Sequence, residues 1–158
     1  LMNAPMKNAT HELVRDLFVF SVFTGLAYSD VKNLTTDRLQ TFFDGNLWII
    51  TRRKKTNTES NIRLLDVPKR IIEKYKGLAR DGHVFPVPSN GSCNKILKDI
   101  GRQCGFKVRL TYHTASHSKF FYLLNISELS ILKNVTANDL ETSYILFLSQ
   151  LCNIQRTL

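Results

Sequence analysis

Residues 8–24 restrict the fold more than any other stretch. Leu13, Val14, Leu17, Phe18, Phe20 and Val22 recur so closely that a helix here is apolar nearly all round. Such a helix is stable only with other elements packed around it, so it predicts a helical domain with this segment at its centre. Thr10 is the expected N-cap, with Glu12 and Asp16 near the start. Gly25 is the expected stop, and Ser29 or Asp30 is expected to cap a short second helix carrying Val31 and Leu34.

The period then changes from helical to alternating. Residues 38–43, 47–51 and 61–65 are β-branched and aromatic runs that read as strands. Asp44-Gly45-Asn46 supplies turn chemistry for a hairpin between the first two. Residues 52–60 form a polar, basic connection before the third. Pro68 is expected to open a helix over 68–77 that ends at Gly77. Asp81-Gly82 and Pro86/Pro88 mark a loop, and Asn90 or Ser92 begins a helix running to about Cys104, closed by Gly105. Helical patterns return at 113–124, 127–134 and 139–151. The expected fold class is mainly α with a small three-stranded antiparallel β-sheet, in one domain spanning 1–158.

Composition narrows the function classes. A chain of 158 residues with 43% hydrophobic content can bury a full core. Its longest apolar run, Leu17 to Phe23, is broken by Ser21 and falls short of the ~20 residues needed to span a bilayer. No membrane association and no small-molecule substrate are expected. Nothing at its start has the make-up of a signal peptide, and it opens at Leu1 rather than methionine, the expected mark of a piece cut from a longer protein. Cys93, Cys104 and Cys152 form no CxxC pair and no disulfide framework, which points to a reducing cytosol and inert thiols.

The net charge is +9. Residues 119–158 carry Lys119, Lys133 and Arg156 against Glu128, Asp139 and Glu141, which cancel, so the whole excess lies in 1–118. A basic surface of this size suits a polyanion, since binding releases condensed counterions, although charge alone also fits a merely soluble basic protein. Arg52, Arg53 and Lys54, at a strand end, are the candidate phosphate contacts.

At this point the sequence resembles a known family. Residues 19–34, with Thr24-Gly25-Leu26-Ala27-Tyr28-Ser29-Asp30-Val31 at their centre, resemble the first catalytic box of tyrosine recombinases, the phage-integrase family, and most closely the integrases of conjugative and mobilizable transposons. Lys54-Lys55-Thr56 resembles the β-hairpin bearing the family lysine, which would be Lys55. Leu110-Thr-Tyr-His113-Thr-Ala-Ser116-His117 resembles the His-x-x-Arg box. By spacing, Tyr144 falls where the nucleophile is expected. The likeness runs over residues 10–117; over 118–158 it rests on spacing more than identity.

The resemblance implies a reaction without metal or nucleotide cofactor. A tyrosine oxygen attacks a backbone phosphate, giving a 3′-phosphotyrosyl link, and the step reverses onto another strand. Such a site must neutralise charge on the non-bridging oxygens, which planar arginine forks do best. A lysine supplies a proton to the leaving oxygen and histidines orient or shuttle protons. Three positions depart from this pattern: Ala27 and Ser116 stand where arginines are expected, and Val135 where a second histidine or tryptophan is expected. Losing one preorganised donor costs ~10²–10³ in rate. The expectation is therefore a duplex-DNA-binding scaffold with Lys55, His113 and Tyr144 retained but cleavage severely reduced or absent, unless Arg102 or Arg109 fills the gap. Its alternatives are an inactive DNA-binding remnant or regulatory module of a mobile element, or a folded remnant or protein-interaction domain.

Further expectations follow from the same resemblance. The N-terminal core-binding domain that clamps DNA in the family is absent from this chain, which is expected to act in the cytoplasm at the nucleoid. Family members assemble on DNA; Ile145 to Leu151 is apolar enough for that docking, and equally for burial within the chain. His113 and His117, four apart, also match a metal-ligand spacing, but no acidic or cysteine partner is evident and no metal is expected. Lys55 as a surface lysine, His113 as a structural histidine and Tyr144 as a core residue are the plain alternatives.

Overall fold

In a computed structural model, the described residues are 6–52, 59–106 and 109–116. The apolar segment forms helix α1 (Ala9–Thr24), with ten successive or near-successive positions from Val14 to Thr24 buried. Asn8, not Thr10, caps it: the Asn8 side chain accepts the backbone N–H of His11, adding a residue or two to the expected start. Gly25 ends it as expected, at φ 67°, and its N–H donates to the Ser21 carbonyl at 2.8 Å.

Helix α2 (Tyr28–Lys32) follows, and here too the cap differs. Ala27 occupies the N-cap position without a side-chain bond, while Ser29 and Asp30 lie inside the first turn, where an acidic side chain still favours the helix dipole. A 3-10 turn (Thr36–Arg38) leads into β1 (Leu39–Thr41), β2 (Leu47–Arg52) and β3 (Glu59–Arg63). These pair antiparallel in the order β1-β2-β3. Phe42 to Asn46 make the hairpin turn, with Gly45 at φ 71° and Asp44 accepting the Asn46 N–H at 3.0 Å. The register sets Leu39, Ile49 and Ile62 side by side, the last two buried in the core, and Gln40, Trp48 and Arg63 side by side on the opposite face.

Helix α3 (Asp66–Tyr75) starts two residues before the proline expected to open it. Pro68 sits third in the helix, where its missing N–H is one of the first-turn groups that have no intrahelical partner anyway. Helix α4 (Asn90–Gln103) is capped by Ser89, whose hydroxyl oxygen accepts the Ser92 N–H at 3.2 Å. A short α5 (Tyr112–Ser116) closes the described part. Helices α2, α3, α4 and α5 all contact α1, the central placement its all-round apolarity demands. Phe85, from the loop after α3, meets Phe20 edge-on at 4.9 Å and Tyr75 at 6.3 Å. The mainly helical fold with a three-stranded antiparallel sheet is the one expected. No helix among the described residues is long and apolar enough to cross a membrane.

Candidate nucleic-acid interface

The turn after α1 places Ala27 and Tyr28. The Thr24 hydroxyl donates to the Phe20 carbonyl at 2.8 Å and accepts from the Leu26 N–H, while Leu26 is buried, so the chain leaves α1 in a fixed direction. The Ala27 carbonyl accepts the N–H groups of Asp30 and Val31, both at 3.0 Å. Ala27 is half-buried and presents only a methyl group where the resemblance expects a guanidinium.

Tyr28 reaches across the domain. Its hydroxyl donates to the Pro88 carbonyl at 2.7 Å, and its ring meets the Tyr112 ring edge-on at 5.4 Å. Tyr112 opens α5 and is 2% exposed. Its backbone N–H donates to Asn94 Oδ1 on α4 at 3.1 Å. Thr111 and Thr114 cap α5 reciprocally, each side-chain oxygen accepting the other residue's backbone N–H at 2.8 and 3.2 Å. His113, the next residue, is exposed. The chain segments carrying Ala27 and His113 are thus joined through the Tyr28–Tyr112 pair.

Helix α4 borders this junction with positive charge. Asn94 and Gly101 lie on the stripe of α4 that meets the 110–112 segment; a Cβ added at Gly101 would sit 3.3 Å from Leu110 Cγ. Lys98 falls between them on that stripe, and Lys95 and Arg102 flank it, spaced three and four apart. All three are exposed, as is Arg109. Arg102 donates to Asp99 at 2.6 Å, an exposed pair of small energetic weight that competes with any phosphate for its guanidinium. Lys95 and Lys98 escape a reading of the sequence alone because nothing in it shows which side of α4 the later chain covers.

The described tyrosines are all held protonated. Burial, with the Cys93 thiol beside it, raises the Tyr28 phenol. Burial, Cys93 and Tyr28 push Tyr112 well above the usual tyrosine range. Tyr75 is pushed up to about 12 by burial and its bond to Asp16.

Lys55, Arg53, Lys54, Val135, His117 and Tyr144 lie outside the described residues. Arg52 and Ser116 end β2 and α5 by their backbones, and their side chains lie outside what is described. No group of three or more His, Cys, Asp or Glu that could hold a metal occurs among the described residues.

No protein-family model and no curated protein matches the chain. Solved structures do. One is the XerH site-specific recombinase bound to difH substrate in a pre-cleavage complex, with TM-score 0.60 and 12% identity over 89% of this chain and 45% of that one. XerH on a palindromic difH substrate, a post-cleavage complex, gives TM-score 0.61 and 14% identity over 88% and 44%. The XerA recombinase gives TM-score 0.51 and 11% identity over 87% and 58%. The chain spans less than half of each XerH chain, and it has the fold of the part that it covers.

Proposed function

We propose that this chain is a catalytic-type domain of a tyrosine recombinase, related to integrases of conjugative or mobilizable transposons, that grips duplex DNA through its phosphates and cleaves it poorly or not at all. The observation that carries this is the junction of Ala27–Tyr28 with Tyr112–His113, bordered by Lys95, Lys98, Arg102 and Arg109, on a fold shared with a recombinase solved on its DNA substrate. His113, exposed beside Tyr112, is the histidine this reading assigns to a phosphate oxygen. Lys55, with the Arg52–Lys54 run, would add a proton donor and further phosphate contacts. Tyr144 is the attacking group this reading assigns, by its spacing from the His113 box.

The inactive alternative is favoured by one observation. Ala27 offers no charge at the junction, and Arg102, one of the two arginines that could compensate, is engaged by Asp99. Two assays separate the readings. A mobility shift over a salt series tests DNA gripping: each lost phosphate contact lowers the slope of log K against log salt by about 0.9. Lys98→Glu with Lys95→Glu should flatten it by about two such contacts. Covalent trapping on a nicked attachment-site substrate tests cleavage, and efficient trapping that disappears in Tyr144→Phe would overturn the degraded-site reading. A salt-independent, weak shift would overturn the DNA-binding reading itself.

A further inference from the structure

We infer that Asn94 is a positioning residue that orients His113 toward the duplex, a role that rests on the duplex reading above, and that it is an asparagine because a neutral acceptor does this without taking a cation from the phosphate. Inside α5, Thr111 and Thr114 satisfy each other's N–H groups, which shapes the first turn without tying it to α4. First-turn N–H groups have no partner within their own helix. The Tyr112 N–H is answered from α4, by Asn94 Oδ1 at 3.1 Å, across 18 positions of sequence. Asn90, one turn earlier on α4, accepts from Asn94 Nδ2 at 3.0 Å, which holds the amide with its oxygen toward α5.

This bond sets α5 in register with the basic stripe. Asn94, Lys98 and Gly101 follow one another on one face of α4, with Lys95 beside them. The side chain that fixes the start of α5 therefore shares a face with the cations proposed to hold phosphate. His113, exposed, is the residue after the bonded N–H. Loss of the Asn94 acceptor would release the histidine from that register and leave the lysines where they are. The identity of the residue matters as well. Aspartate caps a helix start as well as asparagine does, and its carboxylate would hold the Tyr112 N–H more strongly. At this position, however, it would stand four residues before Lys98, the spacing at which an acid and a lysine pair. Lys98 would then be occupied as Arg102 is by Asp99 at 2.6 Å. The amide supplies the acceptor without that competition.

Two variants with opposite signatures test this in the full chain. The His113 ring resonance, identified by its loss in His113→Gln, is followed by NMR as duplex DNA is added. Exchange of the Tyr112 amide proton and the salt slope of duplex retention are measured alongside. In the unaltered chain the resonance should move saturably. Asn94→Ala, which raises the helix propensity of α4, should speed Tyr112 exchange about tenfold, the loss of one hydrogen bond. It should also remove most of the His113 movement and leave the salt slope unchanged, because Lys95 and Lys98 remain. Asn94→Asp should do the reverse. Exchange stays slow and His113 still moves at saturating duplex, while the slope falls by about 0.9, one phosphate contact. Unchanged exchange and His113 movement in Asn94→Ala overturn the inference, as does a slope that Asn94→Asp leaves intact. So does duplex that binds the unaltered chain without moving His113. If the unaltered chain retains no duplex at all, the duplex reading falls and takes this role with it, a result visible before any variant is made.

Discussion

Asp16 is 7% exposed, yet it carries a charge between two helices. Lys74 of α3 donates to its Oδ2 at 2.7 Å, the Tyr75 hydroxyl donates to the same oxygen at 2.8 Å, and Arg15 donates through Nε to Oδ1 at 2.8 Å. Asp16→Ala takes the acceptor from all three at once. The loss is uneven. Lys74 keeps Glu12 at 2.7 Å, and its side chain is 41% exposed, so water replaces much of what it loses. Arg15, 12% exposed, keeps Glu12 at 3.5 Å but loses its short Nε bond, and Tyr75, 7% exposed, is sealed with the carboxylate. Hydrogen bonds to a charged group contribute about 1.5–3 kcal/mol each, and breaking a buried pair costs about 3–5 kcal/mol. Counting Arg15 and Tyr75 and discounting Lys74, Asp16→Ala should cost about 3–4 kcal/mol. Lys74→Ala should cost about 1 kcal/mol or less. Urea unfolding followed by far-UV circular dichroism measures both, with an unchanged slope indicating that stability alone moved. If Asp16→Ala costs under about 1 kcal/mol, or no more than Lys74→Ala, the network does not pin α1 to α3 as described.

Other consequences are open to simpler measurements. Burial pushes the Cys93 thiol up to about 11 from its ordinary 9.0, and Tyr75 rises from 10.0 to about 12. Folded values raised above unfolded ones mean that the neutral forms stabilise the fold: the contribution is complete below about pH 9 and is lost as pH climbs through 9–12. A stability series across that range should show the fall, and Tyr75→Phe should flatten its upper part. Cys93, 0% exposed, should react with a thiol reagent only through unfolding, whereas half-buried Cys104 should react in the native state; a Cys152→Ser background with mass mapping distinguishes them. Gly25→Ala forces a Cβ into a left-handed conformation and should cost about 1–2 kcal/mol in the same urea assay. Its effect on DNA retention should exceed that cost, because the turn also aims Ala27 and Tyr28.

The fold was largely legible because its two periods are unmistakable. An all-round apolar run has to be central, and the alternation through Leu39, Ile49 and Ile62 fixes which strand faces point inward. Helix starts were not. Thr10, Ser29 and Pro68 are all good starting residues, but Asn8 lies within reach of His11 and Asp66 is equally suited to a first turn. Local sequence ranks such neighbours nearly equal, and packing of the adjoining turn decides between them. Long-range polar partners were hidden for a different reason. Asp16 looks like an acid near a helix start, and only the fold brings it to residues 58 and 59 positions later. In the candidate site, His113 and Ala27 were marked by motif. Tyr28 and Tyr112, which join their segments, lie inside those motifs but had no role assigned to them there, and Lys95 and Lys98 lie in no motif.

The five residues of α5 have a mechanical meaning. A helix so short cannot sustain itself in water, where nucleation alone outweighs what one turn returns. Its shape is borrowed from Asn94 on the neighbouring helix and from the edge of Tyr28. The orientation of His113 is therefore a collective property, transmitted from side chains distant in the chain. A peptide cut from this stretch would retain every letter of the motif and none of its aim.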